Sequence, residues 1–199
     1  MRNALALLLC LASCAGGSKP PAAIDLLKLI DPKRDAVDGA WAFDGGVLVT
    51  STVSFGRLQV PYAPPAEYDL RMVVERKGPV NSIVLGLVAG GRQFAVVIDA
   101  FPRDTTSGVD RVDDKAFPDN ETGFKGVLLT EGKPSTILVA VRKGSLAVTV
   151  DDRKIVDWKA DYKRVSLYPN WKVPRPDAFF LGAWSTPYRI HSLELIPAP

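Results

Sequence analysis

The stretch STILVAVRKGSLAVTVDDRKIVDW, Ser135 to Trp158, decides the fold. Apolar side chains recur with strand spacing on each side of Lys143-Gly144, and again on each side of Asp151-Asp152. That is the period of a strand with one buried face. Two tight turns separating three such runs predict a three-stranded antiparallel meander. The second turn has Asp152 where a hairpin of this kind often carries glycine, so a different turn is required there.

The same texture extends in both directions. Further β-rich runs are Trp41 to Phe43, Val47 to Thr50, Arg57 to Val60, Tyr68 to Arg76, Ser82 to Val88, Gln93 to Asp99, Gly126 to Leu129, Ala178 to Trp184 and Arg189 to Ile196. Turn residues separate them, which is the pattern of an all-β domain. Pro102 to Phe124 is the longest irregular stretch, and long loops on a β scaffold are where function tends to sit. In the last strand, alternation counted from Ile190 would bury Ser192 and Glu194 and expose Leu193 and Leu195. A bulge near His191-Ser192 corrects this by shifting the register one residue. Ile24 to Ile30 predicts one or two helical turns, which Asp31-Pro32 should end.

Composition agrees with one domain plus a short leader. The 199 residues are 24% charged and 47% hydrophobic, with 16 Gly and 16 Pro, which excludes collagen-like and disordered chains. A net charge of +3 on 25 basic and 22 acidic residues gives no reason to expect a nucleic-acid partner.

The leader has an address. Arg2 followed by the apolar run Ala4 to Leu11 reads as a secretory signal. The run is too short for a bilayer, which needs about 20 residues. Leu11-Ala12-Ser13-Cys14 resembles the bacterial lipobox, and the resemblance implies cleavage before Cys14 and lipidation of its sulfur. An ordinary signal peptide with an incidental cysteine is the alternative. Cys10 would leave with the signal, so no internal disulfide is expected. Attachment by several acyl chains would be stable. By resemblance to enterobacterial sorting, Ala15 after the cysteine implies the outer membrane. The expected division is residues 1–13 as signal peptide, 14–38 as lipidated terminus, tether and short helical turn, and 39–199 as the β domain.

Four segments carry a family resemblance: the meander, WAFDGGVLVTS (Trp41 to Ser51), GLVAGGRQFAVVIDAF (Gly86 to Phe101) and AFFLGAWSTPYRIHSLELIP (Ala178 to Pro197). Together they resemble the concanavalin A-like, laminin-G-like jelly-roll sandwiches of bacterial exported proteins. They are similar to the 3-keto-disaccharide hydrolase domain group over residues 39 to 197. The resemblance implies an antiparallel β-sandwich of jelly-roll type and a role in binding or processing sugars.

The residues themselves restrict the chemistry. His191 is the only histidine. It lies in the expected bulge, and the nucleophilic triads that need an imidazole have no second candidate. Multi-histidine zinc patterns are absent, and Gly90-Gly91 joins two strands with no phosphate loop after it. Carboxylates remain as acid and base groups, and glycoside hydrolysis needs two of them about 5 to 9 Å apart. Asp99 shares a face with Gln93 by alternation and forms with it a candidate polar pair, unless Asp99 simply opens the next loop in solvent. Asp104, Asp110, Asp113, Asp114, Asp119, Asn120 and Glu121 could suit calcium, which takes about 6 to 8 oxygens. The spacing is not that of an EF-hand, and Arg103, Arg111 and Lys115 oppose a cation, so a hydrated loop is favoured and no metal is assigned.

Aromatic rings are the other lead, because sugars present C–H faces that stack on them. Trp171, flanked by Pro169, Pro174 and Pro176, is expected to stand exposed in a loop. Trp41 and Trp158 are expected in the core, and Trp184 alternates with Phe180. Arg92 and Arg142 could bond sugar hydroxyls. The favoured reading is a lipid-anchored envelope protein whose sandwich binds a glycan or cell-envelope polymer through Gln93, Asp99, Trp171, Arg92 and Arg142. Two alternatives stand beside it: a sugar-processing hydrolase or lyase with Asp99 and one acid of the 104–121 loop as general acid and base, and a structural envelope protein without a small ligand.

Overall fold

Alternating apolar residues become strands because each can bury one face against a second layer, and here two layers form around one core. The computed structural model describes residues 22–50 and 52–198. The signal segment and Cys14 lie outside the described residues. The strands are, in chain order, β1 (Ile24–Asp25), β2 (Ala36–Asp38), β3 (Trp41–Asp44), β4 (Val47–Thr50), β5 (Gly56–Val60) and β6 (Tyr68–Arg76). The chain continues through β7 (Ile83–Ala89), β8 (Arg92–Ala100), β9 (Thr106–Val109), β10 (Arg111–Val112), β11 (Lys115–Ala116) and β12 (Phe124–Lys125). It ends with β13 (Pro134–Arg142), β14 (Ser145–Val150), β15 (Arg153–Trp158), β16 (Val165–Ser166), β17 (Phe179–Ala183) and β18 (Tyr188–Pro197).

One sheet runs β15-β14-β13-β6-β18-β4-β3, with β1 added alongside β18. The facing sheet runs β12-β9-β8-β7-β17-β5-β2, and β11-β10-β16 make a small third sheet. The pairings are antiparallel. This is the predicted all-β jelly-roll sandwich, with the predicted meander as β13 to β15.

The turn at Asp151 is solved by Asp151 itself adopting φ 50°. Aspartate tolerates the left-handed region better than most residues. Its Oδ1 also accepts the Thr136 N–H at 2.8 Å, which ties the turn to the neighbouring strand. The bulge expected near His191-Ser192 is present as a register shift between Ile190 and Ser192, and it returns Leu193 and Leu195 to the core.

The predicted helical turn is present as a 3-10 turn, Leu27–Leu29, and it stops at Ile30 ahead of Asp31-Pro32. The same pair also starts a turn that was not expected: Asp31 caps α1 (Pro32–Asp35) by accepting the Lys33 N–H at 3.0 Å, and proline suits the first helical position. Two expectations need correction. Residues 24–38 belong to the sandwich, because β1 and β2 pair with β18 and β5 while Leu26, Leu27 and Ile30 are buried. Gly126 to Leu129 is not a strand, for a reason given below. In the other direction, β9 lies in the supposedly irregular stretch, paired with β8 and β12.

Candidate functional site: an aromatic cleft on the seven-stranded sheet

The middle of the seven-stranded sheet is apolar on both faces. Ile83, Leu85, Leu87, Phe94, Val96, Ile98, Phe179 and Leu181 face the main core. Val84, Ala95, Val97, Ala100 and Phe180 point to the outer face, where Trp171 and Phe117 cover them. Two glycines make that cover possible. A Cβ at Gly86 would run into the Phe180 ring, and one at Gly182 would approach Trp171 Cζ3 to 2.8 Å, so both rings lie on bare backbone.

The segment carrying Trp171 is strapped down by polar contacts. A 3-10 turn spans Pro169–Trp171, and Arg57 Nη1 donates to the Asn170 carbonyl. The Tyr168 N–H donates to Asp110 Oδ2 at 2.8 Å. Further along, Gln59 accepts from the Arg175 N–H at 2.8 Å, and Gln93 Nε2 donates to the Ala178 carbonyl at 2.7 Å.

Where the strap ends, a cleft of about 390 Å³ opens. Two sets of rings line it. Phe55 sits 4.8 Å from Trp171, 4.2 Å from Trp184 and 5.7 Å from Tyr168, centroid to centroid. Phe101 stacks on Phe117 at 5.5 Å. Asn81, Ser82, Asp110 and Arg111 supply the polar part of the lining. No described residue bonds the indole N–H of Trp171 or Trp184.

Asp110 is the distinctive group. It is only 6% exposed, and burial pushes its carboxyl above the ordinary value of 3.8, with the Tyr168 N–H and the Arg111 charge pulling the other way. Oδ2 is taken by Tyr168, whereas no described residue bonds Oδ1. The Arg111 guanidinium lies 5.1 Å from the Tyr168 ring centroid and gives Nη1 to the Asp114 carbonyl at 2.8 Å.

The residues singled out from the sequence are not brought together. Asp99 is fully buried at φ 57°. A bulge inserts one residue of β8 between Val97 and Ala100, so both of these reach the outer face and Asp99 leaves it. Its carboxylate instead accepts the N–H groups of Leu128 at 2.9 Å and Leu129 at 2.8 Å. This is why Gly126 to Leu129 is a held loop, with the Leu128 and Leu129 N–H groups turned to a side chain. Burial raises the Asp99 carboxyl, and those two bonds and Arg76 oppose the rise. The Gln93–Asp99 pair therefore does not form, and Gln93 fastens the strap.

Trp171 is in the predicted loop but only 4% exposed, because its indole packs on Gly182. Arg92 is exposed at the β7–β8 hairpin, about 26 Å along β8 from Ala100 at strand rise. Arg142 lies on the opposite sheet, paired with Asp69 at 2.8 Å. Among the acidic loop residues, Arg164 takes Asp113 at 2.6 Å and Glu121 at 2.9 Å, and Lys125 takes Asp104 at 3.3 Å. Among the described residues, no group of three or more His, Cys, Asp or Glu side chains could hold a metal ion. His191 faces Glu75 at 3.2 Å, in the predicted bulge.

Sequence reasoning missed Phe55 and Phe117, and it offered Asp110 only as one of several loop acids. One signal was present: IVLGLVA, FAVVI and FFLGA are runs without a polar side chain, the mark of strands buried on both faces, and such a sheet must be covered by something.

No protein-family model matches this chain, and no curated protein matches its sequence. Solved structures share its fold. A carbohydrate-binding module from Bacillus subtilis, CBM66, superposes with a TM-score of 0.59 at 10% identity, covering 81% of this chain and 93% of that one. The exoplasmic/lumenal domain of VIP36, solved with Ca2+ and Man3GlcNAc, gives 0.59 at 14% identity over 81% and 82% of the two chains. The carbohydrate recognition domain of Emp47p gives 0.55 at 11% identity over 92% and 100%. The chain thus has the antiparallel jelly-roll sandwich fold that these domains share.

Proposed function

We propose that the protein binds carbohydrate in the cleft between β8, the strap and Phe55, and that a lipid on Cys14 holds it at the cell envelope. The observation that carries the first part is the lining itself. Rings at several orientations offer faces for sugar C–H groups, and a buried carboxylate with a free oxygen, an amide and a hydroxyl stand beside them for sugar hydroxyls. Three solved domains of similar fold are described as a carbohydrate-binding module, a carbohydrate recognition domain and a mannose-oligosaccharide complex, which supports the reading.

Hydrolysis by a carboxylate pair is the weaker reading. It requires a second acid about 5 to 9 Å from the first, and Asp110 is the one carboxylate among the residues lining the cleft. A glycan array probed with residues 22–199 tests binding. Tyr168→Ala and Trp184→Ala should abolish the signal, and Arg142→Ala, on the opposite sheet, should leave it intact. Equal loss in all three variants, or no bound glycan, would refute the site. The anchor rests on the LASC string and has its own test. The full chain expressed in a bacterium should partition into detergent, and Cys14→Ser should release it to the aqueous phase.

A further inference from the structure

We infer that the cleft selects uncharged sugar rings over uronic acids, and that Asp110 is the residue that makes the selection; this rests on the carbohydrate-binding reading above. Asp110 is more than nine-tenths buried and lines the cleft. Its Oδ2 is committed to the Tyr168 N–H, and its Oδ1 has no bonded partner among the described residues. A carboxylate oxygen in that position accepts hydrogen bonds and cannot donate them while ionised. The matching group on a ligand is a hydroxyl or another donor. A ligand carboxylate brought to the same place would put two like charges together in apolar surroundings, which disfavours binding.

The neighbouring cation does not reverse this preference. Arg111 covers the Tyr168 ring and gives Nη1 to the Asp114 carbonyl, while its Nε is buried with no partner. Its guanidinium is held by the strap and its own loop. Asn81 and Ser82, which bear no charge, complete the polar lining. Specificity of this kind comes from placing a repulsive group against the wrong ligand as well as an attractive one for the right ligand.

The test uses an array carrying gluco-, galacto- and manno-configured neutral oligosaccharides beside oligomers of the corresponding uronic acids. The wild-type protein should bind a neutral member at least tenfold more tightly than its uronic counterpart. Asp110→Asn keeps an acceptor for the Tyr168 N–H and removes the charge. It should cut that ratio to within about threefold, chiefly by admitting the uronate, while its melting curve stays cooperative. A wild-type preference for uronic acids, or an Asp110→Asn ratio equal to wild type, overturns the selection and leaves carbohydrate binding standing. Absence of binding to either class overturns both. The wild-type comparison tests the selection even if the variant fails to fold, and a preference for uronic acids there overturns it.

Discussion

The two sheets of this sandwich are built from similar apolar content but treat their outer faces differently. In the eight-stranded sheet, β6 alternates between buried and half-exposed along all nine residues, and β13 keeps a similar rhythm, with Leu138 37% exposed on the outside. In the seven-stranded sheet, β17 is buried at every position and β8 at seven of nine. Water is the solvent of the first outer face, and the Pro169–Trp171 turn, Phe117 and Phe55 are the cover of the second. A cover made of rings leaves a cleft where it ends, and that is where the candidate site lies.

The largest effect should come from removing the cover. Trp171→Ala deletes a buried indole resting on Gly182 and should destabilise the domain by about 4 kcal/mol, read from denaturant unfolding. Filling the space beneath the cover is the next test. In Gly86→Ala, the new methyl meets the Phe180 ring and should cost about 2 kcal/mol through forced displacement, with the melting midpoint as the readout.

The pH dependence is a subtler comparison. Because burial raises the folded-state value of Asp110, its ionisation opposes folding. Stability contributed by the protonated form is present near the ordinary value of 3.8 and is lost as pH rises through the folded value. Asp110→Asn should therefore melt at or above the wild-type temperature at neutral pH, with the gap closing as pH falls. The smallest effect belongs to the opposite sheet, where Leu138→Ala should shift stability by less than about 0.5 kcal/mol. A loss there as large as at Trp171 would erase the distinction between the two outer faces.

Particular elements explain what could be read in the chain beforehand. β6 has the predicted bounds because Tyr68, Leu70, Met72 and Val74 alternate with polar or half-exposed neighbours. The bulge at His191-Ser192 could be deduced because Leu193 and Leu195 have to be buried. Thr106-Ser107-Gly108-Val109 offered no such rhythm and is a strand only by pairing with the preceding β8 and with the two-residue β12. Asp99 was placed on the wrong face because the bulge in β8 depends on pairing with β9, a strand the alternation did not reveal. Trp171 was read correctly as a loop residue and incorrectly as exposed, because proline spacing describes backbone and says nothing of the bare glycine below the ring. Asp110 looked like one acid among many until the fold buried it.

The central claim is that the outer face of the seven-stranded sheet, where its aromatic cover gives way, is the surface that meets sugar. Backbone amide chemical-shift mapping during titration with a glycan bound on the array tests this directly. The account predicts shifts concentrated at Phe55, Ala100, Asp110, Arg111, Tyr168 and Trp184. Shifts confined to Leu138, Ala140, Thr149 and their neighbours on the eight-stranded sheet would contradict it.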